Sequence, residues 1–199
     1  MHRLLAGLIA VAAWTCLATR IGVSYNGDLI ITLWAAGRYF TILTGLLVAV
    51  VMTAITFGRR ISPFMLAGAT LASILVGVVY VTLLRHNLTG ARYISNLLLH
   101  YLVPTGMAAY WLLFGPKTGL NWRHPFVWLL YPLAYFIYAL TRGAVDGRYP
   151  YPFMDLNKIS FLTAVRNGLA IGIVFLLAGL AIVAIGRAMS RVRLSRPLG

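Results

Sequence analysis

Tyr93-Ile94-Ser95-Asn96-Leu97-Leu98-Leu99-His100-Tyr101-Leu102-Val103-Pro104-Thr105-Gly106-Met107-Ala108-Ala109-Tyr110-Trp111-Leu112-Leu113-Phe114 is the stretch that decides the reading of this chain. It is apolar and close to the roughly 20 residues a helix needs to cross a bilayer. Yet it carries Asn96 and His100 four residues apart, on one face of a helix. Polar side chains at membrane depth are costly and usually face the interior of a bundle, where they mark candidate functional sites. The competing reading is that His100 only hydrogen-bonds between helices.

The rest of the composition agrees with a membrane setting. The chain has 199 residues, 61% hydrophobic and 10% charged, with a mean hydropathy of +0.86, far from the balance of a soluble domain. The net charge of +14 comes from seventeen Lys and Arg scattered between apolar runs. Nucleic-acid binding, which gathers such charge on one face, is not expected; basic flanks serve instead as topology signals and headgroup contacts. One cysteine, Cys16, allows no intramolecular disulfide and reads as a packing residue.

Outward from the opening stretch, five more apolar segments appear. The first span is expected in Met1 to Ile21, retained rather than cleaved as a signal peptide. A loop from Gly22 to Arg38 follows, with Tyr25-Asn26-Gly27-Asp28 as its turn and Leu29 to Ala36 as an interfacial segment anchored by Trp34. Further spans are expected at Gly37–Phe57, Pro63–Leu84 (ending at Arg85-His86), Pro125–Leu140 and Phe161–Gly186, with Tyr93–Phe114 as the fourth in order. The expectation is an all-α, polytopic membrane protein: a bundle of six transmembrane helices forming a single integral membrane domain over 1–199. Six crossings put both termini on one side. That side collects Arg3, Arg59, Arg60, Lys117, Arg123, Arg187, Arg191, Arg193 and Arg196, nine basic residues against eight opposite. The dense clusters place the termini in the cytoplasm, with the protein integral to the plasma or inner membrane. Gly168 and Gly172 form a GxxxG spacing that suits close helix packing.

Thr41 lies about 27 Å of helix from Arg59, and His100 about 25 Å from Lys117, so the two sit at similar depth. Around Thr41 a continuous helix would align Gly37, Arg38, Thr44 and Gly45 in one small and polar stripe. Hydroxyl, imidazole, guanidinium and carboxamide together suit nucleophilic acyl transfer, in which a neighbouring base activates a weak hydroxyl nucleophile. Imidazole fits that base by its pKa. Asn96 would orient His100 or donate to an oxyanion, and Arg38 would hold a carboxylate. The plainer alternatives are a back-bonded Thr41 and an Arg38 snorkelling to headgroups. A zinc hydrolase would want three protein ligands. Of the four histidines, only His86 and His100 share a side with the three aspartates, with no HxxxH pair, so neither metal nor other cofactor is expected. No GxSxG elbow, P-loop or dinucleotide fingerprint is present. Pro104 and Pro132 are only faint signs of the broken helices of transporters.

Four motifs carry a family resemblance: Gly37-Arg38-Tyr39-Phe40-Thr41, Asn96-x-x-x-His100 with Tyr101-Leu102-Val103-Pro104, Trp111-Leu112-Leu113-Phe114, and Tyr149-Pro150-Tyr151-Pro152-Phe153. Over most of its length the chain resembles the androgen-induced-gene and androgen-dependent TFPI-regulating protein family, in its bacterial Pr6Pr membrane protein branch. The resemblance implies an intramembrane threonine hydrolase of fatty acid esters of hydroxy fatty acids. It sets the catalytic pair on Thr41 and His100; Arg38, Asn96, Tyr101 and Tyr151 are the residues expected to bind substrate or support that pair. The implied partner is a lipid or fatty-acyl ester. The Tyr149–Phe153 loop would cover the pocket mouth or cap the bundle at the interface. A non-catalytic lipid-binding or transport protein using the same pocket is the alternative.

Overall fold

The computed structural model describes residues 1–25, 27–84 and 90–194, leaving out the side chains of 91, 92 and 192–194. Asn26 of the expected turn, the Arg85-His86 end of the third span, Arg196 and the side chains of Arg92 and Arg193 lie outside the described residues. Among these the regular structure is helical: α1 (His2–Ser24), α2 (Leu29–Ala36), α3 (Phe40–Thr56), α4 (Pro63–Val79), α5 (Gly90–Leu97), α6 (Val103–Phe114), α7 (His124–Asp146) and α8 (Phe161–Leu194). A π turn, Tyr80–Leu84, extends α4, and a second, Leu98–Leu102, joins α5 to α6. Helices suit these runs because, away from water, each backbone N–H and C=O must find its partner within the segment.

Among the described residues, four helices are long and apolar enough to cross a membrane: His2–Ser24, Pro63–Leu84, Tyr93–Phe114 and Phe161–Arg191. A fifth crossing is available if α2 and α3, bent by 99° at their junction, count as one broken span. The fifth expected segment does form a helix, α7, but it is not among the sufficiently apolar ones. Its Trp128, Tyr131, Tyr135 and Tyr138, with Pro125 and Pro132, dilute the aliphatic residues. The count of six crossings is therefore not reproduced by length and apolarity alone.

The expected interfacial segment is α2, started by Asp28, whose carboxylate accepts from Ile31 N–H at 3.0 Å. It ends at Gly37, whose N–H bonds Leu33 O at 2.9 Å. Arg38 and the extended Tyr39 then turn the chain into α3. Gly37 and Arg38 thus precede α3, and only Thr44 and Gly45 share the helical face of Thr41. The four-member stripe expected on a continuous helix is corrected accordingly. The cause is local: Gly37 closes α2 before α3 begins.

The chain forms two compact units, Met1–Pro116 and the part from Lys117 onward. In the first, α1 packs on α3, α5 and α6, and α4 packs on α3 and α6. Its core includes Ala6, Ala13, Val48, Met52, Leu66, Leu71, Met107 and Trp111. In the second, α7 packs on α8. There a Cβ at Gly168 would lie 2.8 Å from the Phe136 ring, whereas one at Gly172 would have Leu129 Cδ1 nearest at 3.8 Å.

Candidate functional site

Pro104 shapes the region around His100. An α-helix would satisfy the His100 carbonyl with the N–H of residue 104, which proline lacks. The chain instead widens into a π turn, in which Val103 N–H bonds Leu98 O, and such turns recur at functional sites. The released His100 carbonyl faces α4 at Gly77: a Cβ there would lie 3.0 Å from His100 O and 3.2 Å from Pro104 Cβ. Glycine is what allows this approach.

That approach brings Tyr80, first residue of the other π turn, against His100. The two rings stack with centroids 4.0 Å apart and planes 28° apart. Tyr101 packs edge-on to Tyr80 at 5.9 Å. Asn96 acts through two groups. Its side-chain Nδ2 donates to Tyr80 Oη at 2.6 Å, and its backbone oxygen lies 3.1 Å from His100 Nδ1. With the proton on Nδ1, donated to that carbonyl, Nε2 is left as the acceptor, the tautomer a general base requires. Asn96 therefore meets His100 through its main chain, while its carboxamide is engaged by Tyr80. One turn earlier, Cys16 Sγ donates to Ser95 O at 3.2 Å and ties α1 to α5.

Thr41 lies in the first turn of α3. Above it, Arg20 of α1 sits over the Tyr39 ring at 5.7 Å, and Arg38 is buried at the α2–α3 bend, 9% exposed. Thr41 lines a narrow recess, too tight for a water molecule, together with Thr44, Gly45, Val48, Ser73, Val76, Leu99 and Val103. Leu99 and Val103 flank His100 along the chain, and Val76 lies one turn before Tyr80. The π turn that carries His100 thus contributes Leu99 to the recess Thr41 lines, while His100 and Tyr80 are not among its lining residues.

Tyr151 belongs to the second unit. It is buried there, stacked on Phe153 at 5.2 Å and tilted against Tyr135 at 6.4 Å. Its loop is fixed by Asn167 Nδ2, which donates to Phe153 O at 2.8 Å, and by the Tyr149 ring lying on Gly143. Nearby, Arg142 donates to Tyr138 Oη at 2.6 Å and pairs with Asp146 at 3.7 Å.

Sequence reasoning missed Tyr80, Ser73 and the π turns. Two signals were present: Pro104 four residues after His100, which leaves the His100 carbonyl without its α-helical donor, and Gly77 one turn before the only tyrosine of the Pro63–Leu84 run. Compared with protein-family models, curated proteins and solved structures, the chain matches none.

Proposed function

We propose that this chain is an intramembrane threonine hydrolase that cleaves a lipid ester of the fatty-acid–hydroxy-fatty-acid type. In this reading it is a distant relative of the androgen-induced-gene family, with α7 as a sixth crossing, both termini in the cytoplasm and the bundle in the cell membrane. The observation that carries the proposal is the fixed imidazole. His100 is stacked on Tyr80 and has Nδ1 against the Asn96 carbonyl, beside a recess that Thr41 lines.

Thr41 Oγ attacks the ester carbonyl carbon while His100 Nε2 takes its proton, giving a tetrahedral intermediate with its charge on the former carbonyl oxygen. The intermediate collapses by breaking the bond to the alcohol oxygen, which leaves with the proton from His100. Water, deprotonated by the same nitrogen, then releases the acid from the acyl-Thr41 ester. Arg38 holds an acidic head, and Tyr101 supports the substrate. The recess as it stands is too tight for a water molecule, so in this reading its walls part to let the scissile carboxyl group reach Thr41, with the acyl chains left to the bilayer.

The apolar walls from Val48, Val76, Leu99 and Val103 favour, as second reading, a lipid-binding protein without chemistry. A fluorophosphonate probe separates the two. Hydrolase chemistry predicts covalent labelling at Thr41, lost in Thr41→Ala and at least about 100-fold slower in His100→Ala. Labelling that survives Thr41→Ala removes Thr41 as nucleophile, and an unlabelled wild type supports binding alone.

A further inference from the structure

Of the hydroxyls around the recess, that of Ser73 stands apart. Serine and threonine in helices normally return their hydroxyl to the carbonyl four residues back. Thr56 does so to Met52 O and Thr70 to Leu66 O, each at 2.8 Å; Thr82 does so to Val78 O at 2.8 Å and Ser190 to Gly186 O at 2.9 Å. Ser73 does not: among the described residues it has no hydrogen-bond partner, although it is 2% exposed and lines the recess with Thr41. An unbonded hydroxyl on the wall of the recess is available to a group that enters it. Ser73 also shares a face of α4 with Gly77 and Tyr80, at i, i+4 and i+7, the face turned to the His100 π turn.

We propose that Ser73 is a further catalytic residue, the hydrogen-bond donor to the oxyanion formed when Thr41 attacks the ester. The inference rests on the hydrolase reading. As the Thr41 Oγ–carbon bond forms and the proton passes to His100, the carbonyl oxygen takes the electron pair of the broken π bond. Ser73 Oγ–H donates to that oxygen and keeps its own proton. When the alcohol leaves, the carbonyl re-forms and the hydrogen bond weakens. A donor with no ground-state acceptor in a water-poor recess suits this task, because it needs no reorganisation as the charge develops. The Asn96 carboxamide, the other donor considered for it, is engaged by Tyr80.

The test uses the full chain in detergent, with p-nitrophenyl butyrate as substrate and thermal unfolding measured alongside. Ser73→Ala is expected to lower kcat by about 100-fold, as for removal of one oxyanion donor, with KM changed less than about twofold and the unfolding temperature unchanged or raised. Ser73→Thr, which keeps a hydroxyl, is expected to recover more than half of the lost logarithmic rate. Ser73→Ala with wild-type kcat overturns the proposal, as does a fall in unfolding temperature that accounts for the lost activity. A wild type without turnover or fluorophosphonate labelling defeats the hydrolase reading itself and this inference with it. An active wild type matched by Ser73→Ala defeats only the role of Ser73.

Discussion

Gly77→Ala tests whether α4 and the His100 π turn are held at a set distance. The new Cβ would stand 3.0 Å from His100 O and 3.2 and 3.3 Å from Pro104 Cβ and Cγ. Ordinary carbon contacts lie at about 3.5–4.0 Å, so the clash amounts to a few tenths of an ångström. Neither neighbour can swing aside, one being backbone and the other a proline ring. Overpacking of this kind costs about 1–3 kcal/mol, offset by the about 0.8–1 kcal/mol that alanine gains over glycine in a helix. The net expectation is a loss of about 1 kcal/mol, or a fall of about 2–4 °C in Tm for a chain of this size. The larger effect falls on chemistry. Displacing α4 moves Tyr80 from the His100 ring, and misplacement by about 1 Å costs on the order of 100-fold in rate. A shift of a few tenths should slow fluorophosphonate labelling of Thr41 about tenfold. The assay pairs thermal unfolding in detergent with labelling kinetics. The control is Gly172→Ala, where the nearest atom is Leu129 Cδ1 at 3.8 Å and a gain of about 0.4–1 kcal/mol is expected. If Gly77→Ala behaved like Gly172→Ala, raising Tm and leaving labelling untouched, the close approach would have no part in placing His100.

Pro104→Ala returns an N–H to the His100 carbonyl and should let the π turn tighten toward α-helix. Tm is expected to hold or rise while labelling slows at least about tenfold, an outcome that loss of packing alone does not produce. Tyr80→Phe keeps the stacked ring but strands Asn96 Nδ2, now 2.6 Å from the phenol oxygen; denaturant unfolding should show a cost of about 1–3 kcal/mol. Tyr80→Leu, which also removes the stack, should slow labelling further than Tyr80→Phe. Gly168→Ala drives a Cβ to 2.8 Å from the Phe136 ring and should destabilise α7–α8 packing by about 1–3 kcal/mol, read by thermal unfolding. An unchanged Tm there would show that the ring yields freely.

By itself the sequence determined what depends on each segment alone. Apolar runs near 20 residues become helices whatever surrounds them, because the backbone satisfies itself. Hence Pro63–Leu84 and Tyr93–Phe114 are helical spans with the bounds expected of them, and Leu29–Ala36 is a short separate helix. Asp28 and Gly37 punctuate α2 by local bonds that the residues announce. Periodicity also put Asn96 and His100 on one face. It could not say which atoms of Asn96 would meet which partner, since carboxamide and carbonyl compete for several acceptors and donors and only the neighbouring helix selects among them.

Tertiary structure alone decided the rest. The π geometry of residues 98–102 needed both the donor missing at Pro104 and the space above Gly77. Tyr80 joined His100 because two helices distant in sequence come close at that glycine. Ser73 is set apart only by what its hydroxyl fails to reach, a property of the packed neighbours rather than of the residue. Side chains in a membrane helix have their identity from the chain but their partners from the helices opposite, and a candidate site is made of partners.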